Sequence, residues 1–416
     1  MPQSSRCRGQ VLNGASACRW PSAAARAGQA LPASIPLPAM GAAARPETTL
    51  FLCGDVMTGQ GIDPLRPSDS GQRSARSMAS ALDYVHEAEF RTSVRVAGEP
   101  LPRPVCFDYP WGDALALLRR EQPDLRLVNL EATITARGSP AVMPVHVRMP
   151  PQHLPALAAL GVDGVVLANH HALDWGRDGL DDTLECLRQA GIAGIGAGRD
   201  RAEAEQEGQW MLPGKARVRL FAFAHPSSGL SPQWAAGEGR PGINWLQALD
   251  ERAVVSVAGR TREGRREGDI VVVSLHWGSH WGYEVSAEQR RFAHALIDEA
   301  GVDLVWGHAS RHPRPIEVYR GRLILYGVGS FLKDAAGATG HEALRPELAA
   351  LYLPRLAADG TLAGLRLWPL RVHLFRLKRA CASDSHWLAT ALGRACGDHG
   401  SALIPQADGS LRLLWH

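Results

Sequence analysis

The chain has 416 residues, of which 45% are hydrophobic and 21% are charged, and its formal net charge is only +3 at pH 7. This composition is typical of a globular protein and excludes a chain that is disordered throughout. The basic residues are spread along the sequence without the clustered Lys/Arg stripes that bind a phosphate backbone, so nucleic acid is not an expected partner.

The N-terminal segment, residues 1–46, is rich in Ser, Ala, Arg and Pro and has no sustained apolar period. Such a segment buries little apolar surface, so we expect a disordered leader outside the core. Met40 precedes the first strand-like run, and we hypothesise that it is the natural start of the protein.

From residue 47 onward, short β-rich runs alternate with helical segments, which is typical of an α/β fold. Continuous apolar runs such as IVVVS at 270–274 predict strands that are buried on both faces. We predict one domain over 47–376 and a C-terminal extension, 377–416, that packs on it. The predicted strands are 49–53, 125–129, 162–168, 192–196, 217–224, 269–277, 302–308, 321–328, 348–356, 362–372 and 411–414. The predicted helices are 112–121, 151–160, 178–190, 246–266, 286–300 and 384–396.

Cysteine usage and the absence of long apolar runs bear on the compartment. The seven cysteines form no CxxC pair, so neither a zinc ribbon nor a disulfide framework is indicated, and a reducing environment is the simpler interpretation. The sequence has no run of about eighteen apolar residues and no continuous apolar signal-peptide core. We therefore expect a cytoplasmic protein without a transmembrane segment, which would reach a membrane only through a partner.

Polar side chains collect where the predicted apolar strands end. In open α/β sheets, ligands bind at the carboxyl ends of the strands, so these side chains are expected to share one site. Carboxylate, amide and imidazole groups are also those that hold catalytic Zn, Mn or Fe. Singly, each could be a turn former, a solvated acid or a structural histidine, but here they recur at successive strand ends. The residues are Asp55, Asn129, Glu131, His170, His171, His276 and His308.

Two further segments could complete such a site. Asp174 follows His171 by three residues and could orient a metal-bound histidine, or it could cap a turn or helix. The segment HWGSHWGYE, 276–284, combines aromatic faces with hydrogen-bond donors and suits a pocket wall. Within it, His280 could act as an acid or base and Trp281 could contact substrate, or both could be rim residues.

Several separated segments carry a family resemblance. They are LFLCGDVMTGQGID, PDLRLVNLEATIT, VLANHHALDWGRDGL, GDIVVVSLHWGSHWGYE and GVDLVWGHASRHPRPIEVYRGRLILYG. In this order they resemble the CapA family of poly-γ-glutamate capsule synthesis, which is similar to calcineurin-like metallophosphoesterases. For 47–376 the resemblance implies a sandwich of two β-sheets flanked by helices, with metal bound at the strand ends.

The resemblance also implies roles for individual residues. Asp55 would be a first metal ligand, and Glu131 would be the carboxylate nearest both metal positions, with Asn129 beside it. His170 stands where the family usually has a metal-binding Asn, and His171 matches the phosphate-contacting or acid histidine.

The sequence departs from the phosphoesterase pattern in ways that affect the number of metal ions. Met57 replaces a His, although Met is common there in the CapA group, and the GHxxH motif loses its second His unless His312 substitutes. His276 and His308 still match later ligands, so of one or two possible ions we favour one tightly held divalent ion, Mn, Zn or Fe. Arg311 could bind an anionic substrate through its forked donors, or it could be a surface arginine.

Two kinds of function follow. In the first, the protein is a metallophosphoesterase-like enzyme whose ion polarises an amide, carbonyl or phosphoryl oxygen. The resemblance implies an anionic γ-glutamyl, peptide-like or phosphoester substrate in capsule synthesis. Hydrolysis, phosphoester cleavage and, in peptide tailoring, α-carbon proton abstraction all stay open. In the second, it is a non-catalytic accessory protein that binds polyglutamate or assembles with capsule-synthesis partners.

Overall fold

The computed structural model describes residues 46–59, 62, 85, 103–141, 145–333 and 340–416. These residues belong to one compact unit, Ala44–His416. The predicted leader and the proposed start at Met40 lie outside the described residues, apart from Pro46. The domain boundaries at 46 and 376 stay predictions. In the described ranges, no helix is long and apolar enough to cross a membrane.

Helices and strands alternate along most of the chain, and the α/β prediction is confirmed. The strands are β1 Thr48–Met57, β2 Leu125–Leu130, β3 Thr133–Ile134, β4 Arg148–Met149, β5 Gly164–Val166, β6 Ala193–Ile195, β7 Ala197–Gly198, β8 Gly208–Met211, β9 Arg217–Ala224, β10 Gly242–Ile243, β11 Asp269–His276, β12 Leu304–His308, β13 Ile316–Tyr319, β14 Arg322–Leu325, β15 Ser330–Lys333, β16 Leu348–Leu356, β17 Leu362–His373, β18 Arg376–Arg379, β19 Ser401–Pro405 and β20 Leu411–Trp415. The helices are α1 Gly112–Glu121, α2 Pro155–Leu160, α3 Gly176–Ala190, α4 Arg201–Ala204, α5 Glu251–Arg262, α6 Ala287–Asp298 and α7 Ala382–Gly397.

Two large sheets contain most of the strands. The ten-stranded sheet has the order β19-β20-β17-β16-β1-β2-β5-β6, with β15 beside β1 and β18 beside β17. Its strands β1, β2, β5 and β6 are parallel. The six-stranded sheet has the order β13-β14-β12-β11-β9-β8, in which β9, β11, β12 and β14 are parallel. Each sheet therefore brings several strand carboxyl ends to one edge.

The central strands of the six-stranded sheet are buried on both faces. Every residue of β11 is buried, as the apolar run predicted. Ile270 belongs to the same hydrophobic cluster as Leu127 of the ten-stranded sheet. Its neighbour Val271 points to the opposite face and packs in a second cluster with Val257 of α5 and Phe292 of α6. Alternation along β11 thus joins one face to the core shared by the two sheets and the other face to a helical layer.

Two predicted helices begin four and five residues later than the sequence suggested. The helix predicted over 151–160 begins at Pro155 as an α-helix, because a proline is tolerated in the first turn but lacks the N–H that a continuous helix would need there. The helix predicted over 246–266 begins at Glu251, since the Asp250 side chain accepts a hydrogen bond from the Ala253 N–H and caps the first turn. Local capping chemistry sets both boundaries.

A close backbone approach places Asp55 beside the loop before β15. The Asp55 N–H donates to the Gly329 carbonyl at 3.1 Å, and Asp55 lies opposite Ser330 in the parallel pairing of β1 with β15. A Cβ atom at Gly54 would overlap the Gly329 carbonyl oxygen. Glycine at position 54 is therefore required for this approach.

Glu317 on β13 is a buried carboxylate with four polar partners. It accepts hydrogen bonds from Arg290 at 3.1 Å and Tyr326 at 2.6 Å, and the His294 Nε2 atom lies 3.0 Å away. His399, in the loop before β19, lies 3.5 Å from its second oxygen. Burial alone would raise the pKa of Glu317, but the nearby His399 and the hydrogen bond from Tyr326, helped by His294, lower it to about 2.

We expect Glu317→Gln to lower the free energy of unfolding by about 1–3 kcal/mol at pH 7. Because the folded-state pKa of about 2 lies below the unfolded value near 4.3, the ionised carboxylate stabilises the fold above about pH 4.3. That contribution is lost as the pH falls towards 2, so the difference between the two proteins should shrink from pH 5 to pH 3. Urea unfolding of both proteins at pH 7, 5 and 3 measures this difference in the free energy of unfolding.

Glu347→Gln is the matched control, since Glu347 is partly exposed and pairs with Arg345 near the surface. Its effect should stay within about 1 kcal/mol at pH 7. A Glu317→Gln effect that does not change between pH 5 and pH 3 would contradict the role assigned to the ionised carboxylate.

Candidate metal centre

Two buried acids meet at the carboxyl ends of β1 and β2. Asp55 lies opposite Asn129 in the parallel pairing of these strands, and Glu131 directly follows β2. The Asn129 amide donates to Asp55 Oδ1 at 2.9 Å and to Glu131 Oε2 at 3.0 Å. The two carboxyl groups are also hydrogen-bonded to each other, and all three residues are buried. The structure therefore brings these three sequence-predicted residues together.

Burial opposes ionisation of the acid pair. Burial raises the pKa of Asp55, against the opposing effect of its hydrogen bonds with Glu131 and Asn129. Burial and then the negative charge of Asp55 raise the pKa of Glu131 well above its ordinary value, although the nearby Arg311 guanidinium acts in the opposite direction. Two adjacent buried carboxyl groups are costly to ionise together, so the pair favours either a shared proton or a cation.

Two imidazoles lie against the Glu131 carboxylate. The His170 Nε2 atom is 3.1 Å from Glu131 Oε1, and the His170 Nδ1 atom is 2.7 Å from His276 Nε2. One ligand atom from each of Glu131, His170 and His276 lies within 4.8 Å of the other two, and all three residues are buried. Burial lowers the pKa values of both histidines well below their ordinary range, which favours the neutral imidazole that binds metal ions.

His308 extends the imidazole cluster beside His276. The two residues end the paired strands β12 and β11, and their rings stack at 6.4 Å with an interplanar angle of 18°. Burial lowers the pKa of His308 to about 3. Among the described residues, neither ring nitrogen of His308 nor the Nδ1 atom of His276 has a hydrogen-bond partner. Buried polar atoms normally have partners, so these nitrogens are suited to an ion or to ordered water.

The donor set fits a divalent transition metal. It combines a carboxylate with two neutral imidazoles, and Asp55 and His308 lie next to that group. Mixed oxygen and nitrogen donors are typical of catalytic Zn, Mn and Fe sites. The buried group of Glu131, His170 and His276 could therefore bind a metal ion.

His171 and Asp174 form a second pair beside this group. The His171 Nδ1 atom is 2.7 Å from Asp174 Oδ2, which also accepts a hydrogen bond from the Val147 N–H at 2.6 Å. The His171 ring lies 4.3 Å from that of His170, and its Nε2 atom is buried without a partner among the described residues. A carboxylate in this position orients the imidazole and keeps its Nε2 atom free for proton transfer.

His280 and Arg311 lie at the outer side of the imidazole cluster. The His280 ring is 5.2 Å from that of His170, and its Nδ1 atom is 2.8 Å from the Ala309 carbonyl oxygen. The Arg311 N–H donates to the His280 carbonyl at 3.0 Å, which ties the two segments together. Burial has the largest effect on the pKa values of Asp55, Glu131 and His170, and the nearby Arg311 guanidinium opposes that effect at the two acids and adds to it at His170. This places a positive charge next to the acid pair.

His312 and Trp281 belong to a separate aromatic group. The His312 Nδ1 atom is 3.0 Å from the Pro313 carbonyl oxygen, and its ring lies edge-on to Tyr283 at 4.8 Å. Trp281 stacks on His312 at 6.2 Å and on His341 at 4.0 Å. The structure therefore does not bring His312 into the group of Glu131, His170 and His276. No sequence pattern pointed to His341, because it is far from Trp281 along the chain.

Asn169 is a second residue that the sequence analysis missed. Its side chain contacts both Asn129 and the Leu130 carbonyl, directly beneath the acid pair. The signal was present in the sequence, since Asn169 immediately precedes the two histidines of ANHH.

Residues 49–335 match the model of one protein family, described as bacterial capsule synthesis protein PGA_cap. The chain belongs to this family. The PGA_cap family is in the metallophosphoesterase-like superfamily, which confirms the resemblance found in the sequence.

Curated relatives match this family assignment. A Mycobacterium tuberculosis protein named "probable polyglutamine synthesis accessory protein" is 43% identical over 370 residues, covering 88% of this chain and 96% of the relative. The PGA biosynthesis protein CapA of Bacillus subtilis is 32% identical over 167 residues, covering 40% of this chain and 41% of that protein. The capsule biosynthesis protein CapA of Bacillus anthracis is 26% identical over 190 residues, covering 46% and 44% respectively.

We expect Glu131→Gln to weaken binding of Mn²⁺ or Zn²⁺ by at least about tenfold, because it removes the negative charge that offsets the cation. The metal-free fold should be at least as stable as the unmodified one, since the change removes a like-charge neighbour of Asp55. Isothermal titration calorimetry on chelator-treated protein measures the affinity, and thermal unfolding measures the stability.

Glu207→Gln is the control for this substitution, since Glu207 pairs with Arg219 outside the acid pair. Its metal affinity should stay within about twofold of that of the unmodified protein, which is a much smaller change than the tenfold effect expected at a site residue. Near-normal affinity in Glu131→Gln would remove that residue from the centre.

A second comparison separates His308, which ends β12, from His312 in the loop that follows. His308→Ala should weaken metal binding by at least about tenfold, because His308 stacks on His276 and neither of its ring nitrogens has a partner in the part of the chain that the structure describes. His312→Ala should leave affinity nearly unchanged, because His312 packs against Trp281 and Tyr283 and lies outside the group of Glu131, His170 and His276. The same titrations measure both variants. If His312→Ala weakened metal binding and His308→Ala did not, His312 would be the ligand.

Proposed function

We propose that the protein is a metal-dependent enzyme of poly-γ-glutamate synthesis. Its substrate would be an anionic γ-glutamyl, peptide-like or phosphoester compound. The observation that carries the proposal is the buried group of Glu131, His170 and His276 next to the His171–Asp174 pair. Such burial of acids and imidazoles is costly for folding and is characteristic of functional sites. The names of the curated relatives support the link to polyglutamate and capsule synthesis.

The proposal includes a fold of the metallophosphoesterase type, a sandwich of two β-sheets flanked by helices. The hydrophobic cluster that contains residues of both large sheets supports it, as does the helical layer formed by α5 and α6 on the outer face of the six-stranded sheet. In such an arrangement, loops at the carboxyl ends of both sheets can contribute to one site.

Glu131, His170 and His276 would hold the ion, with Asp55 and His308 as neighbouring candidates. A bound transition metal would supply Lewis-acid polarisation of a substrate oxygen or lower the pKa of bound water. The set contains fewer imidazoles than the phosphoesterase pattern, since Met57 stands at one of its histidine positions. We therefore propose that the site binds one ion, Mn, Zn or Fe, rather than two.

The surrounding side chains would handle protons and substrate charge. Asp174 holds the Nδ1 side of His171, so His171 would donate or accept a proton at its Nε2 atom. Arg311 would bind a carboxylate or phosphate of the substrate through its forked N–H groups. The Trp281 ring, stacked on His341, would form an apolar wall of the pocket. His280 would assist at the outer edge of the cluster.

A non-catalytic accessory role is the second candidate. The relative from Mycobacterium tuberculosis is named as an accessory protein. His312 also lies apart from the Glu131 group, which leaves the centre without the second histidine of the phosphoesterase GHxxH pattern. In this role the same centre would bind a polyglutamate chain without turning it over.

We expect His171→Asn to lower kcat by about 10²–10⁴-fold while metal affinity changes by less than about threefold, because the residue would move protons without holding the ion. Asp174→Asn should lower kcat as well, since His171 would lose its orienting carboxylate. The probes are poly-γ-glutamate, a γ-glutamyl anilide and an aryl phosphate, each assayed with Mn²⁺ and with Zn²⁺.

His386→Asn, a substitution on α7, is the control and should retain normal turnover. Metal-loaded protein that binds poly-γ-glutamate and turns over none of the three probes would favour the accessory role. Normal kcat in His171→Asn would remove that residue from the chemistry.

A further inference from the structure

The orientation of the Asn169 amide is determined by two backbone groups. One end of the side chain lies 2.9 Å from the Leu130 carbonyl oxygen, which can only accept a hydrogen bond. The other end lies 3.1 Å from the His171 N–H, which can only donate. The Nδ2 atom must therefore face Leu130 and the Oδ1 atom must face His171. Asn169 is fully buried, so water does not compete for these positions.

The orientation of Asn169 determines that of Asn129. The same Nδ2 atom of Asn169 lies 2.9 Å from the Asn129 side chain. A donor at that position requires an acceptor, so the atom of Asn129 that faces it is Oδ1. The NH₂ group of Asn129 is then directed at Asp55 Oδ1 and Glu131 Oε2, with one N–H for each carboxyl group.

The opposite orientation of Asn129 would be unfavourable at both ends. Its oxygen would face two carboxyl oxygens, and its NH₂ group would face the NH₂ group of Asn169. Two hydrogen bonds to acidic groups would be lost, and buried polar atoms would be left without partners. The chain of contacts from the Leu130 carbonyl to the acid pair therefore has one favourable arrangement.

We propose that Asn129 does not bind the ion but donates hydrogen bonds that orient the two acids, and that Asn169 is the positioning residue that fixes Asn129. By holding Glu131 Oε2, Asn129 leaves Glu131 Oε1 directed at His170, where the two atoms are 3.1 Å apart. This inference rests on the proposed metal-dependent function. It differs from the expectation that Asn129 is a ligand, because the Asn129 oxygen faces Asn169 and its NH₂ group faces the acid pair.

The two roles predict opposite effects of Asn169→Ala on Mn²⁺ affinity. If Asn169 positions Asn129, its removal lets the amide rotate and should weaken Mn²⁺ binding by about tenfold, as with other residues that support ligands from outside the coordination shell. If Asn129 were a ligand, removing Asn169 would free its oxygen, and Mn²⁺ binding should be unchanged or tighter.

A double-mutant cycle separates positioning from a general loss of stability. Mn²⁺ affinity is measured by calorimetry on chelator-treated full-length protein for Asn169→Ala, Asn129→Ala and the double variant. Because Asn169 acts through Asn129, the double variant should bind Mn²⁺ no more weakly than Asn129→Ala alone. Effects that multiply would overturn the inference, as would normal affinity in Asn169→Ala.

Asn169→Asp provides an isosteric variant in case Asn169→Ala fails to fold. It keeps an acceptor for the His171 N–H and loses the donors to Asn129 and Leu130. It should weaken Mn²⁺ binding although it adds negative charge, and tighter binding would contradict the positioning role. If the unmodified protein bound neither Mn²⁺ nor Zn²⁺, the proposed function would fail and the inference with it. If the unmodified protein bound Mn²⁺ and neither Asn169 substitution changed the affinity, the proposed function would stand and only the inference about Asn169 would be overturned.

Discussion

The burial of two adjacent acids at the ends of β1 and β2 is the constraint on which the rest of the site depends. Removing a carboxylate from water is costly unless it gains hydrogen bonds or a cation, and two side by side repel each other when both are ionised. The Asn129 amide donates a hydrogen bond to both Asp55 and Glu131, which offsets part of this cost. The Arg311 guanidinium, which opposes the effect of burial on the pKa values of both acids, offsets part of the remaining charge.

The site draws its groups from both large sheets. The acids and Asn129 come from the ten-stranded sheet, whereas His276 ends a central strand of the six-stranded sheet. His170, in the loop after β5, contacts Glu131 on one side and His276 on the other. A change in the packing of the two sheets would alter these distances directly, so the shared hydrophobic core is also what maintains the donor geometry.

The layers around the acid pair differ in chemical character. Beneath the acids, the network of Asn169 and backbone groups is neutral and buried, which suits the fixing of orientation. At the outer side, the partly exposed Arg311 and His280 carry donors that an anionic substrate could reach. Trp281 and His341 add an apolar surface next to them. This arrangement separates the groups that could hold an ion from those that could recognise a chain of carboxylates.

The sequence by itself determined the α/β class and the strand ends that carry acids and histidines, because apolar runs and the polar residues after them are local patterns. The burial of β11 and the family followed from the same runs and motifs. Only the tertiary structure separated His308 from His312, showed that the Asn129 oxygen faces Asn169, and brought His341 against Trp281. These outcomes depend on side-chain orientation and on contacts between distant segments, and spacing along a chain contains neither.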